Sequence, residues 1–98
     1  MREISAKEVE TLIEDGKSLN IIDVREAKEV LVGKIPGAIN IPLRLIEFRM
    51  YELDKCKEYI MVCRSGGRSG RATQFLEKQG FNVINMSGGM LAWKGKVE

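Results

Sequence analysis

The sequence predicts an α/β fold, with a mainly parallel sheet and helices on both faces. Three observations predict it. Short runs of β-branched and apolar residues alternate with helix-patterned segments along the whole chain. The run Leu19-Asn20-Ile21-Ile22-Asp23-Val24 is apolar enough to be a strand buried on both faces. No internal repeat, low-complexity stretch or linker interrupts the 98 residues, so residues 1–98 are expected to form one domain.

The elements follow in order. Arg2-Glu3-Ile4 is a short first strand. Ser5 and Glu8 have the spacing of a capping box, with Ser5 as N-cap. Val9, Leu12 and Ile13 then share one helical face, and Gly16 closes that helix. After the strand 19–24, Glu26 to Leu31 forms a short helical turn. Gly33 to Gly37 is a loop fixed by Pro36, and Ala38 to Ile41 is a strand stopped by Pro42. Leu43 to Leu53 reads as a helix. Tyr59-Ile60-Met61-Val62 is a buried strand, Ser69 to Gln79 a helix closed by Gly80, and Phe81 to Met86 the last strand. Gly88 to Trp93 opens a final short helix.

Composition narrows the function. The net charge is +2, close to balance, which gives no reason to expect a nucleic-acid or membrane-surface partner. No apolar stretch approaches the ~20 residues that span a bilayer. Met1-Arg2-Glu3-Ile4 lacks a secretory apolar core, so the expected location is the cytoplasm. The chain has no histidine, which excludes Ser-His and Cys-His catalysis and most zinc sites. No metal and no cofactor are expected.

The chemistry concentrates at Cys63. It ends the apolar run 59–62 and is followed by Arg64-Ser65-Gly66-Gly67-Arg68-Ser69. A thiol at a strand end, in a glycine loop leading into a helix, faces converging backbone N–H groups. Two arginines add positive charge. All of these favour thiolate over thiol and should lower the cysteine pKa. An inert core cysteine would need neither the glycine pair nor the arginines. Open α/β sheets bind ligands at the carboxyl ends of strands. Cys63 lies at one such end and Asp23-Val24-Arg25 at another. A buried Asp23 needs a partner; Arg25 is the local candidate, and Arg25 could equally contact substrate.

These residues resemble the rhodanese family of sulfurtransferases in its single-domain form. The resemblance covers nearly the whole chain and rests on four segments in order. Asp23-Val24-Arg25 is similar to the family's Asp-x-Arg strand end. Gly33-Lys34-Ile35-Pro36-Gly37-Ala38 is similar to its Gly-His-Ile-Pro-Gly-Ala segment, with Lys34 in place of the histidine. Lysine donates hydrogen bonds near neutral pH and cannot accept them. Cys63 to Ser69 is similar to the active-site loop, and Gly88-Gly89-Met90-Leu91-Ala92-Trp93 to the Gly-Gly-x-x-x-Trp end.

The resemblance implies a rhodanese-like three-layer domain and a persulfide cycle. Cys63 would take a sulfane sulfur from a small anionic donor, such as thiosulfate or a persulfide, and pass it to cyanide or a thiol. Arg64, Ser65, Gly66, Gly67 and Arg68 would form the cradle, with Ser69 at the helix start. Arg64 would face outward toward the donor, and Arg68 would line the pocket or pair with a carboxylate. Two other functions are weighed. One is a sulfur-carrier or interaction module serving a sulfur-relay protein. The other is a phosphatase or arsenate reductase of the same fold. Family phosphatases carry five residues between Cys and Arg, whereas four separate Cys63 from Arg68.

Cys56 could resolve an oxidised Cys63 as a disulfide, but an extended strand would hold it ~20 Å away, so the incidental reading is preferred. Trp93 packs in the core beside the loop. Met50, Met61, Met86 and Met90 are core filler. Leu43 to Tyr51, with Arg44, Phe48, Arg49 and Met50, partly lines the entrance.

Overall fold

The computed structural model describes residues 1–98. Five strands form one parallel sheet in the order β1-β5-β4-β2-β3. The strands are β1 (Glu3–Ser5), β2 (Asn20–Asp23), β3 (Ile39–Asn40), β4 (Glu58–Val62) and β5 (Asn82–Ser87). The helices are α1 (Ala6–Glu14), α2 (Ala27–Val30), α3 (Ile46–Arg49) and α4 (Gly67–Lys78), and a 3-10 turn, Gly89–Ala92, follows β5.

The period of two along the strands builds two cores, one on each side of the sheet. In β4, Tyr59 and Met61 face one side, and so does Cys63 just beyond the strand. They pack with Ile22, Val24, Ile41, Ile46 and Val83, beneath Ala72 and Leu76 of α4. Ile60 and Val62 face the other side, with Ile21, Ile35, Ala38 and Met86, covered by Ala6 and Val9 of α1. The result is three layers, as the alternating pattern predicts.

Local sequence explains the helix ends. The Ser5 hydroxyl accepts the Glu8 N–H at 3.0 Å, and the Glu8 carboxylate accepts the Ser5 N–H at 3.2 Å. This is the expected capping box. The buried face of α4 is Ser69, Gly70, Ala72, Thr73 and Leu76, mostly small residues that let the helix lie close to the sheet.

Three expectations are corrected. Leu43 to Leu53 is not one helix but a 3-10 turn (Leu43–Leu45), α3, and a second 3-10 turn (Met50–Glu52). α4 begins at Gly67, two residues before the expected Ser69, because Gly66 takes a left-handed φ of 104° and caps the helix at once. Ile13 does not share the burial of Val9; it is 37% exposed and lines an open cleft with Pro36 and Trp93.

The topology decides where a ligand can go. β2 is followed by a connection to β3 at one edge, and β4 by a connection to β5 on the opposite side. β2 and β4 are neighbours, with Asp23 opposite Val62. The crevice between their carboxyl ends is thus the switch point of the sheet. The residues that emerge there are Val24-Arg25 and Cys63-Arg64.

Candidate active site

Cys63 leaves the central strand into a short loop that doubles back as α4. Its side chain is 1% exposed. The Gly66 N–H donates to Cys63 Sγ at 3.0 Å, and the Ser69 hydroxyl donates to it at 3.3 Å. Because α4 starts at Gly67, Ser69 lies in the first helical turn, where backbone N–H groups have no helical partner. The positive end of a 12-residue helix therefore points at the sulfur.

Burial pushes the Cys63 thiol up. The Ser69 hydroxyl and the N–H groups of Ser69, Gly66 and Ser65 outweigh it and hold the thiol below its ordinary value. Arg64 and Arg68 are expected to share this task, and here the structure differs. Arg64 is exposed, as expected of an outward-facing residue. The Arg68 guanidinium makes two parallel bonds to Glu29, at 2.7 and 2.8 Å. Hydrogen bonds at the sulfur, rather than guanidinium charge, lead the effect.

Glu29 is a residue the sequence reading missed. Its hydrogen bonds from Arg68 hold its carboxyl down to about 2. It also accepts the Glu26 N–H at 3.1 Å, closing a capping box at the start of α2. The pair ties α2 to the first turn of α4. Only the three-residue spacing of Glu26 and Glu29 hinted at this.

Asp23 and Arg25 do come together. Arg25 donates from Nε and Nη2 to the two Asp23 oxygens at 3.0 and 2.8 Å, and its backbone N–H donates to Oδ1 at 3.0 Å. Asp23 is 1% and Arg25 7% exposed. Arg25 Nη2 also donates to the Gly33 carbonyl at 2.8 Å. The Asn40 amide donates to the carbonyls of Asp23 and Arg25, both at 2.8 Å. Arg25 is thereby committed to holding the strand end. Lys34 donates to the Ala38 carbonyl at 3.1 Å and pairs with Glu98, whose carboxylate also accepts the Gly37 N–H.

The closing turn supports the loop from behind. Met90 N–H donates to the Cys63 carbonyl at 2.8 Å, and Leu91 N–H to that of Arg64 at 3.0 Å. Gly89 lies so close that a Cβ there would sit 2.5 Å from the Arg64 carbonyl oxygen and 2.6 Å from that of Cys63. Trp93 is not beside the loop. It packs against the core under α1, opposite the side that holds Cys63, and its indole N–H donates to the Lys96 carbonyl. With Ile13 and Pro36 it lines a cleft of about 700 Å³. Leu43, Arg44 and Ile46 border a groove of about 370 Å³ against α4, which none of residues 63–69 lines.

Cys56 is exposed in the turn before β4, while Cys63 follows its far end, and both thiols are free. No group of three or more Cys, Asp or Glu side chains is placed to hold a metal ion. No helix is long and apolar enough to cross a membrane.

The model of the rhodanese-like domain matches residues 5–96. The chain belongs to the rhodanese-like domain family. Among rhodanese-like relatives, a Bacillus subtilis (strain 168) protein named "Putative sulfurtransferase YtwF" is 44% identical over 98 residues, spanning all of this chain and 95% of that protein. A second protein of that organism, named "Putative sulfur carrier protein YrkF", is 43% identical across 98% of this chain but only 52% of its own length. The crystal structure of a rhodanese-like domain protein from Staphylococcus aureus superimposes with a TM-score of 0.94. It is 33% identical, over 100% of this chain and 97% of that one.

Proposed function

We propose that this protein is a sulfurtransferase that carries sulfur on Cys63 as a persulfide. One observation carries the proposal: the Gly66 N–H and the Ser69 hydroxyl converge on a buried Sγ at 3.0 and 3.3 Å. A cradle of donors suits an anion. It serves the attacking thiolate and, one bond further out, the terminal sulfur of Cys63–S–S⁻.

The chemistry balances without a cofactor. The Cys63 thiolate attacks the outer sulfur of thiosulfate, the S–S bond of the donor breaks, and sulfite leaves with the electron pair. Cyanide or a thiolate then attacks the terminal sulfur and releases the Cys63 thiolate. The two half-reactions are a ping-pong cycle. With no histidine in the chain, the nucleophile must exist as thiolate before attack, and the loop's hydrogen bonds supply that population.

Loop size argues against phosphoryl chemistry. Four residues separate Cys63 from Arg68. Donors must sit ~2.7–3.1 Å from the oxygens they stabilise, and a ring already closed on one sulfur leaves no room for three. Arg68, which would clamp a phosphate, is bound to Glu29. The relative named as a sulfur carrier supports a second reading, in which Cys63 loads but hands its sulfur only to a protein partner.

The test is thiosulfate:cyanide transfer, run beside aryl phosphate hydrolysis. Transfer that is lost in Cys63→Ser, with negligible phosphate release, is the expected result. Loading of Cys63 without turnover on cyanide or small thiols favours the carrier. Efficient phosphate hydrolysis with no sulfur uptake rejects both.

A further inference from the structure

Asn85 is a polar residue between Ile84 and Met86 in β5, 2% exposed. Its amide nitrogen donates to the Gly66 carbonyl at 3.2 Å and reaches a Glu3 carboxylate oxygen at 3.5 Å. Its Oδ1 is buried with no hydrogen-bond partner. Turning the amide over would aim that oxygen at two acceptors, so the nitrogen faces them. Leaving an acceptor orphaned in the core is a cost.

The Gly66 carbonyl is crowded. It accepts the Gly70 N–H at 3.0 Å within α4 and the Asn85 amide at 3.2 Å, and the Ser69 hydroxyl lies 3.3 Å away. A carbonyl oxygen has two lone pairs. The Ser69 hydroxyl has one proton and two acceptors in reach, this carbonyl and Cys63 Sγ, both at 3.3 Å. With Gly70 and Asn85 filling the carbonyl, that proton is left to the sulfur.

We propose that Asn85 is a positioning residue for Cys63: it occupies the Gly66 carbonyl and so directs the Ser69 hydroxyl proton onto Sγ. The inference deepens the sulfurtransferase reading, for which a populated thiolate is the first requirement. Without the Asn85 amide, the hydroxyl divides between carbonyl and sulfur, and the thiolate loses part of a donor. The charged groups around this contact are Glu3 on β1, the Arg68–Glu29 pair bridging α4 and α2, the Asp23–Arg25 pair beyond β2, and Arg64 in the loop. All are kept in the variants below.

The experiment is a double-mutant cycle on the Cys63 titration. It is read as the pH dependence of iodoacetamide alkylation in Cys56→Ser protein, so that one thiol reports. Ser69→Ala should raise the midpoint by roughly 1 pH unit, the worth of one hydrogen bond to an anion. Asn85→Leu should raise it in the same direction, and Ser69→Ala/Asn85→Leu should rise no further than Ser69→Ala alone. Asn85→Ala provides the same cycle should the leucine variant fail to fold. An unchanged midpoint in the Asn85 variants, or shifts that add in the double variant, overturns the proposal. No donor is present in this titration. Failure of the unaltered protein to take sulfur from thiosulfate would therefore reject sulfur transfer and leave the Asn85 result standing.

Discussion

At the scale of single residues, the hydrogen bonds on Cys63 Sγ come from the Gly66 N–H and the Ser69 hydroxyl, with no basic side chain among them and no histidine in the chain. Burial opposes the charge, and the donors of Ser69, Gly66 and Ser65 overcome it. Cys63 should therefore alkylate with a midpoint below the ~8.5 of a free cysteine. The thiolate fraction then falls only as pH drops through that lower value. Iodoacetamide rates against pH measure this, and a midpoint at or above the free value contradicts it. Cys63 was legible in the sequence because its cradle is local, from 64 to 69. The Asp23–Arg25 pair was legible for the same reason, with partners two positions apart. Glu29 and Asn85 were not. Their partners in the site lie 39 and 19 residues away in sequence, and only the packing of α2 and β5 on α4 brings them in. The available signals were the three-residue spacing of Glu26 and Glu29 and a lone asparagine within Val83-Ile84-Asn85-Met86.

At the scale of elements, the strand-loop-helix turn from β4 to α4 depends on backbone that side chains would spoil. Gly66 has a φ of 104°, and the backbone of Gly88 lies 3.4 Å from where its Cβ would be. Gly67 has ordinary φ and open space. Gly67→Ala should be neutral or stabilising by up to about 1 kcal/mol. Gly66→Ala should cost about 1–3 kcal/mol and depress sulfur transfer, because the strained residue carries the donor to Sγ. Urea unfolding and transfer rates on the two neighbours give the comparison; equal behaviour would mean the cap conformation does not matter.

The α2–α4 tie is also testable. Glu29 has a carboxyl near 2 in the folded chain against an ordinary 4.5. Its contribution is therefore present above the ordinary value and is lost as pH falls from about 4.5 through about 2. The pair is partly exposed, at 35% and 26%, and solvent screening reduces it to about 0.5–1 kcal/mol. Glu29→Gln should be less stable at neutral pH by that amount and should lack this part of the acid loss. Urea midpoints measured at pH 7 and pH 3 decide it, and a gap that stays constant between the two proteins contradicts the assignment. Helix existence was legible from capping and glycine signals. The interruption of residues 43–52 was not, because Leu43, Ile46, Met50 and Leu53 keep helical spacing and all pack on one core, although the backbone between them runs as 3-10, α and 3-10 turns.

At the scale of the whole molecule, parallel order and three layers followed from alternation of strands and helices, which needs no knowledge of distant contacts. The strand order did not follow from it. That order places β2 beside β4 and so sets the Asp23–Arg25 pair next to the Cys63 strand end. Arg25 bonds Asp23 and the Gly33 carbonyl, joining the end of β2 to the segment that leads to β3. Arg25→Ala would leave the Asp23 carboxylate buried without its partner and should cost about 3–5 kcal/mol, a large share of the stability of a small domain. Chemical unfolding checks this, and a loss below about 1 kcal/mol would show that the carboxylate finds another partner or solvent.

The claim that joins these scales is that a central strand delivers Cys63 into a donor-lined loop able to hold a terminal sulfur anion. Intact mass spectrometry after incubation with thiosulfate tests it most directly, on the unaltered protein, Cys56→Ser and Cys63→Ser. The first two should gain the mass of one sulfur atom, removable by cyanide, and Cys63→Ser should gain none. A sulfur adduct retained in Cys63→Ser, or none on the unaltered protein, would contradict the claim.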